Sequence, residues 1–297
     1  MMKKLVFGSL NIDRTYQVAE FVRPKETVSA LGYSCFCGGK GFNQAVALAR
    51  AGSELSFAGV IGADGGMLRH GLLEEHIDIH LLRESAGASG HAVIQVNEQG
   101  ENCIIVVPGS NAEVSRDYVD QVLCEFSPGD LIVLQNEIPQ LDYIIQRAGE
   151  KGMVIALNPS PFNGAIAKCH LDLIKYLLIN EVEGGALTGS QDPQEILDAL
   201  HRRLPNTAVV LTLGENGAYF MAADGQRSYC PAAPCQCVDT TAAGDTFTGY
   251  FLTEYLERGD PAEALRWAAA ASAIAVSRKG ASTSIPRREE VPRAMGT

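Results

Sequence analysis

With 297 residues, 46% of them hydrophobic and 20% charged, the chain can bury a large core and has no low-complexity character. Its net charge of −11 argues against non-specific binding to nucleic acid or to anionic membranes, so a phosphate would have to be met by local amides, a few cations or a metal. Eight cysteines are scattered along the chain, and the pairs Cys35/Cys37 and Cys235/Cys237 lack the usual zinc-ligand spacing, which favours reduced, packed thiols.

Lys3 and Lys4 ahead of an apolar run mimic a secretory leader, but the run breaks at Asn11-Ile12-Asp13, too early for one. No stretch is long enough to span a bilayer, and the expected location is cytoplasmic. Residues 5–10 read as a buried strand. Asn11 and Asp13 follow its carboxyl end, where open α/β sheets hold ligands; an Asx turn is the other reading of the same residues. Residues 15–36 alternate without a helical period and predict short strands outside the main sheet.

Gly38-Gly39-Lys40-Gly41-Phe42-Asn43-Gln44-Ala45 then runs into a helix that stops at Gly52. It is not a Walker A loop, because no Ser or Thr follows Lys40, and it is not a dinucleotide fingerprint. Its glycines allow close backbone approach, and Lys40 and Asn43 offer donors from the first helical turn; a plain turn with a solvated lysine fits equally. A second strand at 55–62 and a helix at 67–75 follow. Residues 91–96 and 102–107 flank a Gly-containing loop as a hairpin, which with the segment after Asp13 predicts a small β-sheet off the main domain. His91 on that hairpin reads as a structural residue or a ligand contact.

From about residue 115, strands at 131–134, 154–157, 176–179 and 208–213 alternate with helices, the mark of a parallel sheet. Segments 160–163 and 184–192 read as loops. Several strands end in polar residues: Gln135-Asn136-Glu137, Asn158, Asn180 to Glu183, and Thr212-Leu213-Gly214. Gathered at one sheet edge with Asn11, Asp13 and Asp239, they predict a ligand site.

Val238 to Tyr250 is the most informative stretch. Apolar lead, a turn of small residues and an amphipathic helix reaching Arg258 place unscreened amide N–H groups at a helix N-terminus, where an anion is favoured. Asp245 stands in that turn, either as a helix cap or as a base beside the anion. The last helix, 262–276, ends before the cationic segment Ser277 to Pro286.

Gly38-Gly39-Lys40-Gly41-Phe42-Asn43 and Asp239-Thr240-Thr241-Ala242-Ala243-Gly244-Asp245-Thr246-Phe247 resemble, in order and separation, the two signatures of the ribokinase-like (PfkB-type) carbohydrate kinases. The resemblance covers essentially the whole chain. It implies one α/β domain over 1–297, a three-layer α/β/α sandwich with a mostly parallel central sheet, and a small β-sheet lid formed by about 14–36 and 90–108. The activity implied is ATP-dependent phosphorylation of a sugar, D-ribose at its 5-hydroxyl, with another sugar or a nucleoside as the alternative. Mg²⁺ would accompany ATP, K⁺ would activate, and two copies would pair through their lids.

By the same resemblance, Asn11, Asp13, Gly39, Lys40, Asn43 and Glu137 hold the sugar, and Asp245 deprotonates the attacking hydroxyl. Backbone N–H groups of Ala242, Ala243 and Gly244 receive the transferring phosphoryl, while Asn180 and Glu183 organise the magnesium-bound phosphates through water. Thr212, Gly214 and Gly217 match the nucleotide-binding stretch. Asp239 and Thr241, with Ala275, Arg278, Gly280 and Ser284, match a monovalent-cation site. Phe42 replaces a residue that is often small and is expected to alter packing near the sugar. A non-catalytic sugar-binding regulator would have no need of Asp245, Asn180 or Glu183. A dehydrogenase would need a Gly-x-Gly-x-x-Gly turn after the first strand, and no Ser-His-Asp or Cys-His set supports acyl transfer.

Overall fold

The computed structural model describes residues 2–294. Its central sheet starts at β1 (Lys4–Phe7), where Leu5, Val6 and Phe7 have no exposed surface. Consecutive apolar residues are what a strand covered on both faces requires. The chain then leaves this sheet for β2 (Asn11–Gln17) and β3 (Gly32–Gly38), an antiparallel pair in which Asn11 faces Gly38. Helix α1 (Lys40–Arg50) returns it to β4 (Ser56–Ile61), parallel to β1, and α2 (Gly66–Glu74) leads to the edge strand β5 (Leu82–Glu84).

The hairpin of β6 (Gly90–Val96) and β7 (Asn102–Val107) joins the first excursion, giving a separate sheet of order β3-β2-β6-β7. Residues 18–31 contain no strand. Asn11 and Asp13 are thus paired strand residues rather than members of an Asx turn.

Next come α3 (Arg116–Leu123), β8 (Leu131–Gln135), α4 (Leu141–Glu150), β9 (Val154–Asn158) and β10 (Tyr176–Asn180). They continue through α5 (Glu181–Thr188), α6 (Pro193–Arg203) and β11 (Ala208–Thr212), and the antiparallel β12 (Ala218–Met221) and β13 (Arg227–Cys230) close the far edge. Helices α7 (Ala243–Arg258), α8 (Pro261–Val276) and α9 (Val291–Ala294) complete the chain. The central sheet has the order β13-β12-β11-β10-β9-β8-β1-β4-β5, and all its pairings from β5 to β11 are parallel.

Alternating side chains divide the core into two clusters, one on each sheet face. Leu5 and Phe7 pack with Tyr118, Ile144 and Leu197 of α3, α4 and α6. Val6 packs with Leu48, Phe251 and Leu265 of α1, α7 and α8. The result is three layers. Residues 184–188, expected as loop, belong to α5, whose start is set by a reciprocal cap between Asn180 and Glu183. No helix of the described residues is long and apolar enough to cross a membrane.

Helices α1 and α7 carry the two signatures, and Gly249 sets their separation. A Cβ there would lie 2.4 Å from the Ala47 Cβ and 2.7 Å from the Ala47 carbonyl carbon. Gly249→Val is therefore expected to push the helices apart and to destabilise the protein by about 3 kcal/mol, the upper part of the usual overpacking range. Chemical denaturation measures it; unchanged stability would mean the helices separate at no cost.

Candidate active site

The parallel strands end on one side of the sheet, and there a cavity of about 450 Å³ opens. Asn158, Asn180 and Thr212 reach it from the carboxyl ends of β9, β10 and β11, and Glu137 from just beyond β8. Asn11 enters from the start of β2, and Ile104 of β7 comes over from the small sheet. A crevice at strand ends is where an open α/β sheet offers backbone and polar side chains that its packed faces cannot.

The first signature is built against the end of β1. Gly39 precedes α1 with φ 88°, a conformation that suits glycine, and its carbonyl accepts from Asn43 N–H at 2.9 Å. A Cβ on Gly41 would lie 2.5 Å from the Ser9 nitrogen, so only glycine lets α1 start this close to the strand. The Ser9 hydroxyl donates to Glu137 at 2.5 Å, and the Lys40 N–H donates to the same carboxylate oxygen at 2.9 Å. Glu137 is thereby locked to the helix start.

The second signature turns through Ala242, a left-handed residue at φ 61°, into α7. Asp245 in the first turn is 5% exposed and borders the cavity. It caps nothing by side chain; it accepts from Asn43 Nδ2 at 3.3 Å and from Gln44 Nε2 at 2.9 Å. The two signatures, about 200 residues apart in sequence, therefore meet through hydrogen bonds. Among the described residues the N–H groups of Gly244 and Asp245 have no protein acceptor, whereas Ala243 N–H already donates to the Thr240 carbonyl at 3.2 Å. Of the three expected amide donors, Ala243 is thus the one engaged within the loop.

The charges are arranged around Lys40. The Asp245 carboxylate raises its ammonium above the ordinary value against the opposing effect of burial, with Glu137 and Glu183 adding to the rise. Lys40 therefore stays cationic in a half-enclosed site. Burial, reinforced by Glu137, pushes the Asp13 carboxyl up to about 7. Burial also raises Glu183, while the Asn180 N–H bond partly opposes it. In the reciprocal cap the Asn180 oxygen accepts from Glu183 N–H at 2.8 Å, which leaves the Asn180 amide NH₂ for a ligand.

Asn11, Gly39, Lys40, Asn43, Glu137, Asn180, Glu183, Thr212 and Ala242 to Asp245 all border the same cavity. Asp13, on β2, does not line it; its carboxylate fills the place where a Gly38 side chain would go. Gly214 and Gly217 do not line it; at Gly217 a Cβ would meet the Cys230 carbonyl at 2.2 Å, so that glycine serves the turn into β12. Of the expected cation-site residues, Thr241 borders the cavity, and the others do not line it. Asp239 accepts from Thr241 N–H at 2.9 Å and from Gly280 N–H at 3.0 Å, tying the anion loop to the loop after α8.

Phe42 departs from expectation: it is 2% exposed, packs into the α1 face of the core against α2, and does not line the cavity. His91 bonds the Ser89 carbonyl at 3.1 Å and also lies outside it. The sequence offers no signal that would place Gln44 or Ile104 at the site. A buried glutamine one position after Asn43 shows no distinguishing spacing, and Ile104 reads as an ordinary strand residue.

Known proteins resemble the chain over its length. The model of the pfkB family carbohydrate kinases matches residues 1–288. The chain belongs to the pfkB carbohydrate kinase family. It is similar to the ribokinase of Haemophilus influenzae, with 37% identity over 96% of this chain and 95% of that one. It is also similar to the solved ribokinase of Thermotoga maritima, with a TM-score of 0.89, 32% identity and full coverage of both chains. The ribokinase of Arabidopsis thaliana, solved with ribose and ATP, superimposes with a TM-score of 0.86 at 28% identity, again over both whole chains. The cavity has two chemical halves. Polar side chains of β2 and α1 stand on one side and the unpaired amides of α7 on the other, with Asp245 between them.

Proposed function

We propose that the enzyme transfers the γ-phosphoryl group of ATP to the 5-hydroxyl of D-ribose, giving ribose 5-phosphate. The observation that carries this reading is the position of Asp245: a buried carboxylate in the first turn of α7, beside free amide N–H groups and hydrogen-bonded to the sugar-side helix α1. Phosphoryl transfer is mostly positioning and charge stabilisation, and this arrangement supplies both. Asn11, Asp13, Lys40, Asn43 and Glu137 hold the sugar, and Asp245 takes the proton of the attacking oxygen. The N–H groups of Gly244 and Asp245 face the transferring phosphoryl, with Ala242 and Ala243 shaping the turn. The homologous ribokinases, one of them solved with ribose and ATP, support the choice of sugar.

Among the described residues no three His, Cys, Asp or Glu side chains are grouped to hold a metal by themselves. That fits a magnesium ion carried by the ATP phosphates, with Asn180 and Glu183 acting on its water shell. Its chemistry would be neutralisation of charge on the phosphates. Asp239, Thr241, Ala275, Arg278, Gly280 and Ser284 are the residues that would hold K⁺. Asp239 already joins their two loops, and its carboxyl is lowered overall: hydrogen bonds from Thr241 and Gly280 outweigh the effect of burial. A cation there would stiffen the loop that aims the α7 amides.

Strand β7 supports the pairing of two copies through the small sheets, because Ile104, Ile105 and Val106 are each more than half exposed on an edge strand. A panel of ribose, 2-deoxyribose, other pentoses and hexoses, and nucleosides, assayed with Mg-ATP with and without K⁺, tests the reading. Ribose should give the highest kcat/KM and K⁺ should raise the rate, with sedimentation of the same sample showing a dimer. A nucleoside preferred by tenfold or more would replace ribose as the substrate.

A further inference from the structure

We propose that Gln44 is a positioning residue that fixes the orientation of the Asp245 carboxylate through a buried chain of amides anchored on a main-chain carbonyl of β10. This rests on the reading of Asp245 as the base. Gln44 has no exposed surface and does not border the cavity, so it acts on the substrate only through its neighbours. Its Nε2 donates to Asp245 Oδ1 at 2.9 Å and to Asn158 Oδ1 at 3.2 Å, and its Oε1 accepts from Gln135 Nε2 at 2.7 Å. Asn158 in turn donates from Nδ2 to the Leu178 carbonyl at 2.9 Å.

The direction of every link is determined by chemistry. A main-chain carbonyl can only accept, so Asn158 must turn its NH₂ to Leu178 and its oxygen to Gln44. An amide oxygen and a carboxylate are both acceptors, so only the Gln44 NH₂ can lie between Asn158 and Asp245. The Gln44 oxygen is then left facing Gln135, which supplies NH₂. No member of the chain can flip without setting two buried acceptors against each other, an arrangement that costs far more than one ordinary hydrogen bond.

For the base, the consequence is geometric. Gln44 holds Oδ1 from the core side, so the carboxylate cannot rotate about its last bond. Oδ2 keeps only the longer 3.3 Å contact to Asn43, itself a cavity residue, and is the oxygen left for the substrate hydroxyl. Gln135 and Asn158 are the supports. Asn158 also borders the cavity, so the network joins the carboxyl ends of β9 and β10 to the base.

The test is a cycle of Gln44→Met, a near-isosteric change, in the wild-type and Asp245→Asn backgrounds. In the wild-type background kcat should fall about 10–10²-fold, with the sugar KM within about threefold, as expected when a reacting group is displaced by a fraction of an ångström to about 1 Å. In the Asp245→Asn background the same change should leave the residual kcat within about twofold. Gln44→Met together with Gln135→Met removes both partners of one buried bond and serves if the single variant folds poorly. It should show the same loss of kcat. A wild-type-like kcat in a folded variant overturns the proposal. So does an equal fall in both backgrounds, or an effect confined to the sugar KM. If Asp245→Asn alone retains near-normal kcat, it is the base assignment that fails, and the two failures are thereby distinguished.

Discussion

Asp245→Asn is expected to lower kcat by about 10³–10⁴-fold while the sugar KM stays within severalfold. General-base catalysis by a positioned carboxylate contributes about 10²–10⁴, and a carboxamide cannot accept the proton. The loss should sit near the upper end, because Asn also spoils its own surroundings. Both oxygens of Asp245 receive N–H donors, from Asn43 and Gln44, and an amide can accept at only one of them. Its NH₂ would face a donor, leaving a buried group unpaired at a cost of about 1–3 kcal/mol. A modest drop in thermal stability should accompany the kinetic effect. Steady-state kinetics with saturating Mg-ATP and calorimetric sugar binding separate the two. A kcat within threefold of wild type would remove Asp245 from the reaction.

Asp13→Asn should have two opposite effects of comparable size. In the folded protein, burial and Glu137 hold the Asp13 carboxyl near 7, against about 3.9 for an unfolded chain. Between those values the folded state keeps a proton that the unfolded state has lost. The contribution of this group to stability is full below about pH 4 and is lost as pH rises to about 7. At about 1.4 kcal/mol per unit the loss is on the order of a few kcal/mol at neutral pH. Asparagine does not titrate, so the variant should match wild type near pH 4 and exceed it by a few kcal/mol at pH 7.

Sugar binding should move the other way. A carboxylate accepting from hydroxyl groups is worth about 1.5–3 kcal/mol per charged hydrogen bond, so the variant should lose about 10–10²-fold in kcat/KM for the sugar. Wild-type affinity for the sugar should itself weaken as pH falls through about 7. Denaturation at pH 4 and pH 7, run on both proteins without sugar, is the decisive comparison. A stability difference that does not change with pH would show that Asp13 is not the strained group described here.

Much of this enzyme was legible before its fold. Strands at 131–134, 154–157 and 176–179 announced themselves by unbroken apolar runs, because a parallel strand is covered on both faces. β5, β12 and β13 did not: they have three or four residues, lie at sheet edges and mix polar with apolar side chains. α5 was hidden for a different reason. Asn180 and Glu183 match a motif that organises magnesium-bound phosphates through water, but they also cap that helix, and Gly184-Gly185 weakens its helical pattern. One pair of residues supports both readings.

The sequence by itself determined the two signature turns, the carboxylate proposed as base and the family, because each depends on residues adjacent in the chain and on the local preferences of glycine and small side chains. Only the tertiary structure decided how those pieces act together. That Gln44 rather than a cap holds Asp245, that Phe42 turns into the core and away from the cavity, and that Asp13 is raised by burial and by Glu137 all follow from packing between segments far apart in sequence. Burial, amide polarity and charge proximity arise where elements meet, and no spacing along a single strand or helix encodes them.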